Sequence, residues 1–175
     1  MGSERALWHC VRKGMAPYWI AQRIEDRFAE GVPDLFFALR RPLRPLPENG
    51  RGSEPDSSLG ESEPLLNSWR GGQGWIELKY RASWPKREST PVRIPGFSVV
   101  QRAWIKRMGS VTGSVFLLAQ IARDYLLFDW AVAQCVGDHN RADLMERVVA
   151  RWEGSVDFAD LAWRLSISWT DFSTR

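Results

Sequence analysis

Two short apolar segments of the chain carry charged side chains where a buried strand would have none. GVPDLFFAL, residues 31–39, contains Asp34, and GWIELKY, residues 74–80, contains Glu77 and Lys79. Burying a charge costs several kcal/mol unless another group compensates it. Together, these residue types are suited to binding a metal ion and a phosphate.

The two carboxylates face each other if the two segments pair as neighbouring strands. Side chains alternate along a strand, so Glu77 and Lys79 share one face, and Asp34 joins them from the next strand. Two carboxylates in a partly dry site raise each other's pKa unless a cation lies between them. Oxygen ligands of this kind suit Mg²⁺ or Mn²⁺ and leave coordination positions for a phosphate oxygen and a water.

Each of these charges also has a structural explanation. Asp34 could cap a turn after Pro33, and Glu77 with Lys79 could form an exposed ion pair on a half-buried strand. A bare D…ExK pattern occurs often by chance. The elements and motifs around the three residues therefore have to decide between a site and a surface.

The hydrophobic periodicity predicts a mixed α/β domain. In chain order it predicts a helix over 3–15, strands over 18–26, 32–40 and 75–80, a helix from 99 that ends at Gly109, and strands over 114–122 and 124–129. Ser3 and Ser98 are the predicted N-caps. In the first strand, Ile20 and Ile24 share the apolar face.

The remaining segments are predicted to be an insertion and a helical tail. Residues 41–74 are rich in Pro, Gly, Ser and Glu, so we expect a mobile insertion rather than a second domain. Residues 131–175 are predicted to add two amphipathic helices, DLMERVVARW and DFADLAWRL, with Trp152, Leu161 and Trp163 packed on the core formed by residues 1–130.

Composition restricts the class of protein. A hydrophobic content of 44% indicates a folded chain, and no apolar run is long enough for a membrane span or a signal peptide. A cytoplasmic protein with free thiols at Cys10 and Cys135 is the expectation. A zinc site that joins the two cysteines to His9 and His139 is the minor alternative.

Basic side chains are concentrated after the second charged segment. The formal net charge of +3 is compatible with a polyanionic partner. The alternative is an ordinary solvated surface. The concentrated residues are Arg81, Lys86, Arg87, Arg93, Arg102, Lys106 and Arg107.

The order of three motifs resembles a known group of enzymes. GVPDLFF, then WIELKY, then a helix that begins SVVQRAW is similar to the PD-(D/E)xK nuclease superfamily, in particular to stand-alone VRR-NUC proteins of phages and bacteria. Their pattern has a G-x-P-D strand, an E-x-K strand and a Q-x-x-W helix. The resemblance covers residues 1–130 and implies a restriction-endonuclease-like αβββαβ core.

The resemblance implies a role for each motif residue. Asp34 and Glu77 would ligate Mg²⁺ or Mn²⁺, together with the main-chain carbonyl of Leu78. Lys79 would hold or polarise the attacking water, and Gln101 would support it near the scissile phosphate.

An upstream glutamate often completes the site in this superfamily. Glu4 on the first helix is the favoured residue, and Glu25 is the competitor. On a strand face with Arg23 and Arg27, Glu25 is more simply explained as a salt-bridged structural residue.

The implied activity is metal-dependent hydrolysis of DNA phosphodiester bonds, and the basic residues above would contact the DNA backbone. Stand-alone family members resemble Holliday-junction resolvases that act as homodimers, so a branched DNA is the leading substrate. A flap, nicked or plain duplex is the alternative. Trp84 and Trp104 are candidates for contacts with distorted DNA, with core packing preferred for Trp104.

Two other classes of function stay open. One is a catalytically silent nuclease-fold protein that binds DNA or helps to assemble a phage particle or replication complex. The other is a small β-rich adaptor that uses its tryptophans for protein contacts. The adaptor explains neither charged strand.

Overall fold

A single mixed sheet organises the chain. The computed structural model describes residues 2–24, 33–39 and 72–166. The strands in this part of the chain are β1 (Trp19–Arg23), β2 (Leu35–Leu39), β3 (Gln73–Arg81), β4 (Val115–Ile121), β5 (Asp124–Asp129) and β6 (Ala150–Glu153). The helices are α1 (Glu4–Met15), α2 (Val99–Thr112), α3 (Trp130–Ala133), α4 (Arg141–Arg147) and α5 (Phe158–Ser166).

The strands lie side by side in their chain order, from β1 to β6. Four of the five neighbouring pairs are antiparallel, and β3 with β4 is the parallel pair. A parallel pair needs a crossover, which α2 supplies between β3 and β4. The predicted α/β class with a mixed sheet and flanking helices is confirmed.

The helices cover both faces of the sheet. Leu7 of α1 packs in one core cluster with Leu118, while Ile105 of α2 packs in the other with Leu117. Adjacent residues of a strand point to opposite faces. The helices α1 and α2 therefore lie on opposite sides of the sheet.

Both predicted N-caps are confirmed. The Ser3 hydroxyl accepts from the N–H of Ala6 at 3.1 Å, and the Ser98 hydroxyl accepts from the N–H of Gln101 at 3.1 Å. These side chains satisfy N–H groups that the first turn of a helix leaves without intrahelical partners.

The predicted end of α2 at Gly109 is wrong. The helix continues to Thr112, and Gly113 ends it in the left-handed conformation with φ 67°. Gly109 is buried inside the helix, where a methyl group would overlap Cβ and Cγ of Trp130. This glycine is explained by close packing, and the C-cap function belongs to Gly113.

The predicted helix over DLMERVVARW is wrong in its second half. α4 ends with Arg147, Val148 is extended, and Ala150–Glu153 form β6 against the outer edge of β5. Ala150 and Trp152 join one core cluster. The β-branched pair Val148–Val149 and an available sheet edge outweigh the helical spacing of the apolar residues.

The C-terminal part gives one further correction. Leu161 is fully buried and Trp152 packs against the core, as expected. Trp163 is 42% exposed, so its predicted packing on the core is wrong. It lies on the outer side of α5, away from Leu161 and Leu165.

The first strand and the insertion agree only in part with the expectation. The buried side chain of β1 is Trp19, while Ile20 is 57% exposed, so the predicted apolar face is not the buried one. The predicted insertion lies mostly outside the described residues, and β3 begins at Gln73, within its predicted bounds.

Two smaller expectations concern the state of the cysteines and the presence of a membrane-spanning helix. Both cysteines are free thiols; Cys10 is exposed on α1 and Cys135 is half-buried after α3. In the part of the chain that the structure describes, no helix combines the length and the apolar character that crossing a membrane requires.

Candidate functional site

The carboxylates gather at an edge of β3 that β2 leaves uncovered. β2 begins at Leu35, opposite Ile76, so the part of β3 beyond Ile76 extends past the start of β2. Continuing the register by one residue places Asp34 opposite Glu77. The Asp34 N–H donates to Glu77 Oε2 at 3.3 Å, and the Leu78 N–H donates to Asp34 Oδ2 at 3.2 Å. These two bonds fix both carboxylates at the strand edge.

The ammonium of Lys79 is the centre of this cluster. Its Nζ lies 2.5 Å from Glu77 Oε1, 3.3 Å from Glu4 Oε2 and 3.8 Å from Asp34 Oδ2. The side chains of Glu77 and Lys79 are 0% and 3% exposed. The explanation of these two residues as an exposed ion pair is therefore wrong, because the pair is buried.

The side chain of Gln101 links α2 to the same carboxylate. Its Nε2 donates to Glu77 Oε1 at 2.5 Å, and its Oε1 accepts from the Ser98 N–H at 3.1 Å. The capping box that starts α2 and the contact with Glu77 use the same amide. The start of α2 is thus positioned against β3 through Gln101.

The burial of Glu77 determines its protonation. Loss of solvent and the nearby Asp34 carboxylate raise the pKa of Glu77 from 4.5 to about 7, against the opposing effect of Lys79. Burial disfavours the charged form of Lys79, but Glu77 and Asp34 outweigh it and raise the pKa of the ammonium. One ammonium therefore compensates the carboxylates incompletely.

The donor set fits a hard divalent cation. Asp34 and Glu77 supply carboxylate oxygens, and a cation between them would offset the repulsion that raises the pKa of Glu77. The Leu78 N–H donates to Asp34 Oδ2, which places the main chain of Leu78 beside that carboxylate. The Leu78 carbonyl is the third ligand that the family resemblance implies.

The side chains that the structure describes do not by themselves form a closed metal cage. Among the described residues, no group of three or more His, Cys, Asp or Glu side chains is arranged to hold a metal ion. Mg²⁺ commonly takes one or two carboxylates and completes its shell with water and substrate oxygens. The pair Asp34 and Glu77 corresponds to that kind of open site.

The two candidates for the upstream acid have different outcomes. Glu4 reaches Lys79 from the first turn of α1 at 3.3 Å, which brings it into the cluster. Glu25 lies outside the described residues. Glu4 can enter from the other side of the sheet because β2 does not flank this part of β3.

A small open cleft adjoins the cluster. It is lined by Glu4, Trp8, Arg23, Asp34, Leu35 and Leu78. Trp8 and Arg23 were not singled out as site residues from the sequence. The helical spacing of Glu4 and Trp8, four residues apart, is the sequence signal that could have pointed to Trp8.

The basic residues after β3 divide into two groups. Arg81 donates to the carbonyls of Ser83 and Arg93, and Arg102 pairs with Asp138 at 3.5 Å, so both make contacts within the protein. The second group consists of exposed basic side chains in the loop and on α2, those of Lys86, Arg87, Arg93, Lys106 and Arg107.

The two tryptophans considered for DNA contact pack within the protein. The Trp84 indole N–H donates to Asp124 at 2.8 Å, and the Arg141 guanidinium lies 4.7 Å from its ring centroid. Trp104 meets Trp75 edge to face at 5.4 Å between centroids. The preferred core role of Trp104 is confirmed.

Comparison of the chain with models of protein families, with curated proteins and with solved structures finds no match.

Proposed function

We propose that this protein is a metal-dependent, structure-selective DNA endonuclease of the PD-(D/E)xK type. The observation that carries the proposal is that three motif residues from separate segments converge on one fully buried carboxylate, that of Glu77. Asp34, Lys79 and Gln101 all contact it, at 3.3, 2.5 and 2.5 Å. These are the residues that the family resemblance names.

The succession of elements supports the same proposal. α1, β1 to β3, α2 and β4 follow one another in the order αβββαβ. That order is the one implied for a restriction-endonuclease-like core, with the site on β3 and the adjoining start of β2. A purely structural role for these residues gives no reason to bury a carboxylate whose pKa is raised to about 7.

Asp34 and Glu77, with the Leu78 carbonyl, are the residues that would hold Mg²⁺ or Mn²⁺. When bound, such an ion supplies charge stabilisation to the phosphate and lowers the pKa of a coordinated water. Lys79 orients the attacking water and offsets charge that develops on the phosphate oxygens. Gln101 keeps the Glu77 carboxylate in place, and its role is positioning.

The proposed reaction is hydrolysis of a DNA phosphodiester. The oxygen of water forms a bond to phosphorus and loses one proton to solvent. The bond from phosphorus to the leaving oxygen breaks, and this oxygen takes up a proton from solvent and departs as a hydroxyl group. We take branched DNA as the substrate and a homodimer as the active form, because two sites related by a two-fold axis suit a symmetric four-way junction. A cytoplasmic location belongs to the same proposal.

Cleavage of labelled DNA tests this proposal. A four-way junction and a matched linear duplex are incubated with Mg²⁺, Mn²⁺ or EDTA, using wild type, Lys79→Ala and Lys13→Ala. We expect metal-dependent cutting that is lost in Lys79→Ala and retained in Lys13→Ala, which removes an exposed lysine of α1. The ratio of junction to duplex cleavage identifies the substrate.

A second candidate function is a catalytically silent DNA-binding component. The direct contact of Lys79 with Glu77 favours it, because this cation compensates part of the buried charge without a metal. DNA binding without cutting in any metal would support this candidate and contradict the enzyme. Absence of DNA binding would contradict both.

A further inference from the structure

The carboxylate cluster is open to solvent on one side. Glu4 and Asp34 have side chains that are 42% and 24% exposed, whereas Glu77 and Lys79 behind them are buried. The two exposed carboxylates line the cleft next to α1. On the α2 side, the Gln101 amide contacts Glu77 directly. The cluster is therefore accessible to solvent on the side of the cleft, next to α1.

The walls of the cleft carry a cation and an aromatic ring. Arg23, at the end of β1, is exposed and lines the cleft with Asp34. Trp8 is half-buried and lies one turn after Glu4 on α1. A guanidinium suits a phosphate, and an indole ring suits the face of a base.

One flank of α1 extends these features away from the cleft, and Trp8 on this flank also packs against the core cluster that contains Leu7 and Val11. Arg5, Trp8 and Arg12 are spaced at i, i+3 and i+7, which places them along one side of the helix. Arg5 and Arg12 are exposed, and Glu4 is the one acidic residue in the sequence of α1. We call Arg5, Trp8 and Arg12 the α1 stripe.

The basic residues expected from the sequence lie elsewhere. Lys86, Arg87, Arg93 and Lys106 belong to the loop before α2 and to α2 itself, and none of them lines the cleft. α2 packs on the face of the sheet opposite to α1. The clustering of these basic residues in the sequence therefore does not indicate which side of the carboxylate cluster is exposed to solvent.

We infer that a nucleic-acid strand enters the site from the α1 side. Arg23 contacts the phosphate next to the cleaved bond, Trp8 contacts the base of an unpaired nucleotide, and Arg5 and Arg12 hold the phosphates beyond it. This inference rests on the proposed function and specifies its substrate as DNA with an unpaired nucleotide beside the cleaved bond, as at a branch.

Fluorescence anisotropy in EDTA measures binding without cleavage. The probes are a labelled duplex and the same duplex with an unpaired single-stranded branch. Arg23→Ala and Arg5→Ala/Arg12→Ala should weaken binding of both about tenfold, and each lost phosphate contact should reduce the slope of log K against log salt by about 1. Trp8→Leu should weaken only the branched probe, by about tenfold.

Two further variants make the comparison specific. Lys13→Ala removes a cation from α1 outside the stripe and should leave both affinities within about twofold of wild type. Lys86→Ala/Lys106→Ala removes two cations on the other side and should change affinity less than Arg23→Ala does. Because Arg5 and Arg12 are exposed, their variants keep the test valid even if Trp8→Leu unfolds the protein.

The outcomes separate the inference from the proposed function. Losses larger in Lys86→Ala/Lys106→Ala than in the α1 stripe variants would overturn the inference, while metal-dependent cutting would still support the nuclease. Binding that depends on the α1 stripe, without cutting in any metal, would support entry of the strand from the α1 side and overturn the enzyme. A wild type that binds neither probe in EDTA and cuts neither probe with Mg²⁺ or Mn²⁺ would overturn both.

Discussion

Glu77 is the residue on which the candidate site depends. It is fully buried and lies beside Asp34, the residue that precedes β2. Its Oε1 contacts both Lys79 and Gln101. Its pKa of about 7 means that the folded protein holds this proton more tightly than the unfolded chain, for which the ordinary value is 4.5. Stability and metal binding should therefore both depend on the protonation of this carboxyl.

The stability of the metal-free protein should fall as pH rises through the range between the two pKa values. A raised folded-state pKa contributes stability that is complete below 4.5 and lost above about 7. From about pH 5 to about pH 8, wild type in EDTA should lose about 2–3 kcal/mol of unfolding free energy relative to Glu77→Gln.

Urea unfolding at several pH values measures this difference. Glu88→Gln, which neutralises an exposed acid, should follow the wild-type pH dependence. Parallel curves for wild type and Glu77→Gln would show that Glu77 ionises as an ordinary glutamate and that its burial has no effect on its pKa.

Divalent metal binding should require both carboxylates. Asp34→Asn and Glu77→Gln each remove a charged oxygen ligand, and each should weaken Mn²⁺ binding by about tenfold or more. Wild-type affinity should also fall as the pH is lowered below about 7, because protonated Glu77 is not a ligand.

Isothermal titration calorimetry with Mn²⁺ measures this binding in the absence of DNA. Glu88→Gln is the control and should bind as wild type does. If both carboxylate variants kept the wild-type affinity, the metal would bind elsewhere and the assignment of Asp34 and Glu77 would be wrong.

At the scale of elements, α2 connects the core to the site. Its first turn contributes Gln101 to Glu77, its middle buries Ile105, and Gly109 packs against Trp130 of α3. The position of Gln101 is therefore fixed by contacts along the whole helix. One substitution at Gly109 can distinguish helix propensity from tertiary packing, because the two predict changes of opposite sign in the free energy of unfolding.

Gly109→Ala should destabilise the protein. Helix propensity alone predicts a gain of about 1 kcal/mol, because alanine is the better helix former. The added methyl group would overlap Cβ and Cγ of Trp130, close to the backbone of α3, and overpacking of this kind costs about 1–3 kcal/mol.

The unfolding free energy of Gly109→Ala, measured with urea, decides between the two signs. Ser110→Ala changes the next, exposed residue and should shift stability by less than about 0.5 kcal/mol. A stabilised Gly109→Ala would mean that α2 and α3 do not approach as closely as the structure shows.

At the scale of the whole molecule, the buried carboxylate of Asp124 ties the loop after β3 to the far part of the sheet. Asp124 on β5 accepts from Arg151 of β6 at 2.8 and 3.0 Å and from the Trp84 indole at 2.8 Å. Arg141 of α4 lies over the Trp84 ring. Four segments of the chain thus meet at one carboxylate.

Asp124→Ala should destabilise the protein by about 1–3 kcal/mol, because the Trp84 N–H and the Arg151 guanidinium lose their common acceptor. Glu153→Ala, an exposed acid on β6, should change stability by less than about 0.5 kcal/mol. Thermal unfolding compares the two variants. Equal small effects would show that Asp124 does not hold the loop.

The local sequence was sufficient for features that depend on nearby residues. The caps at Ser3 and Ser98, the core of each strand from β2 to β5 and the order of elements as far as β5 follow from side-chain period and hydrogen-bonding capacity. The same reasoning selected Asp34, Glu77 and Lys79, because a charge inside an apolar run needs a compensating partner.

Features that depend on distant segments required the tertiary structure. Val148–Val149 lead into β6 because the edge of β5 is available, and Gly109 is needed because Trp130 approaches α2. The fold buries Glu77 together with Lys79. The side on which the carboxylate cluster is exposed to solvent depends on where β2 begins. The physical reason is that burial and close approach are properties of pairs of segments, which local periodicity does not contain.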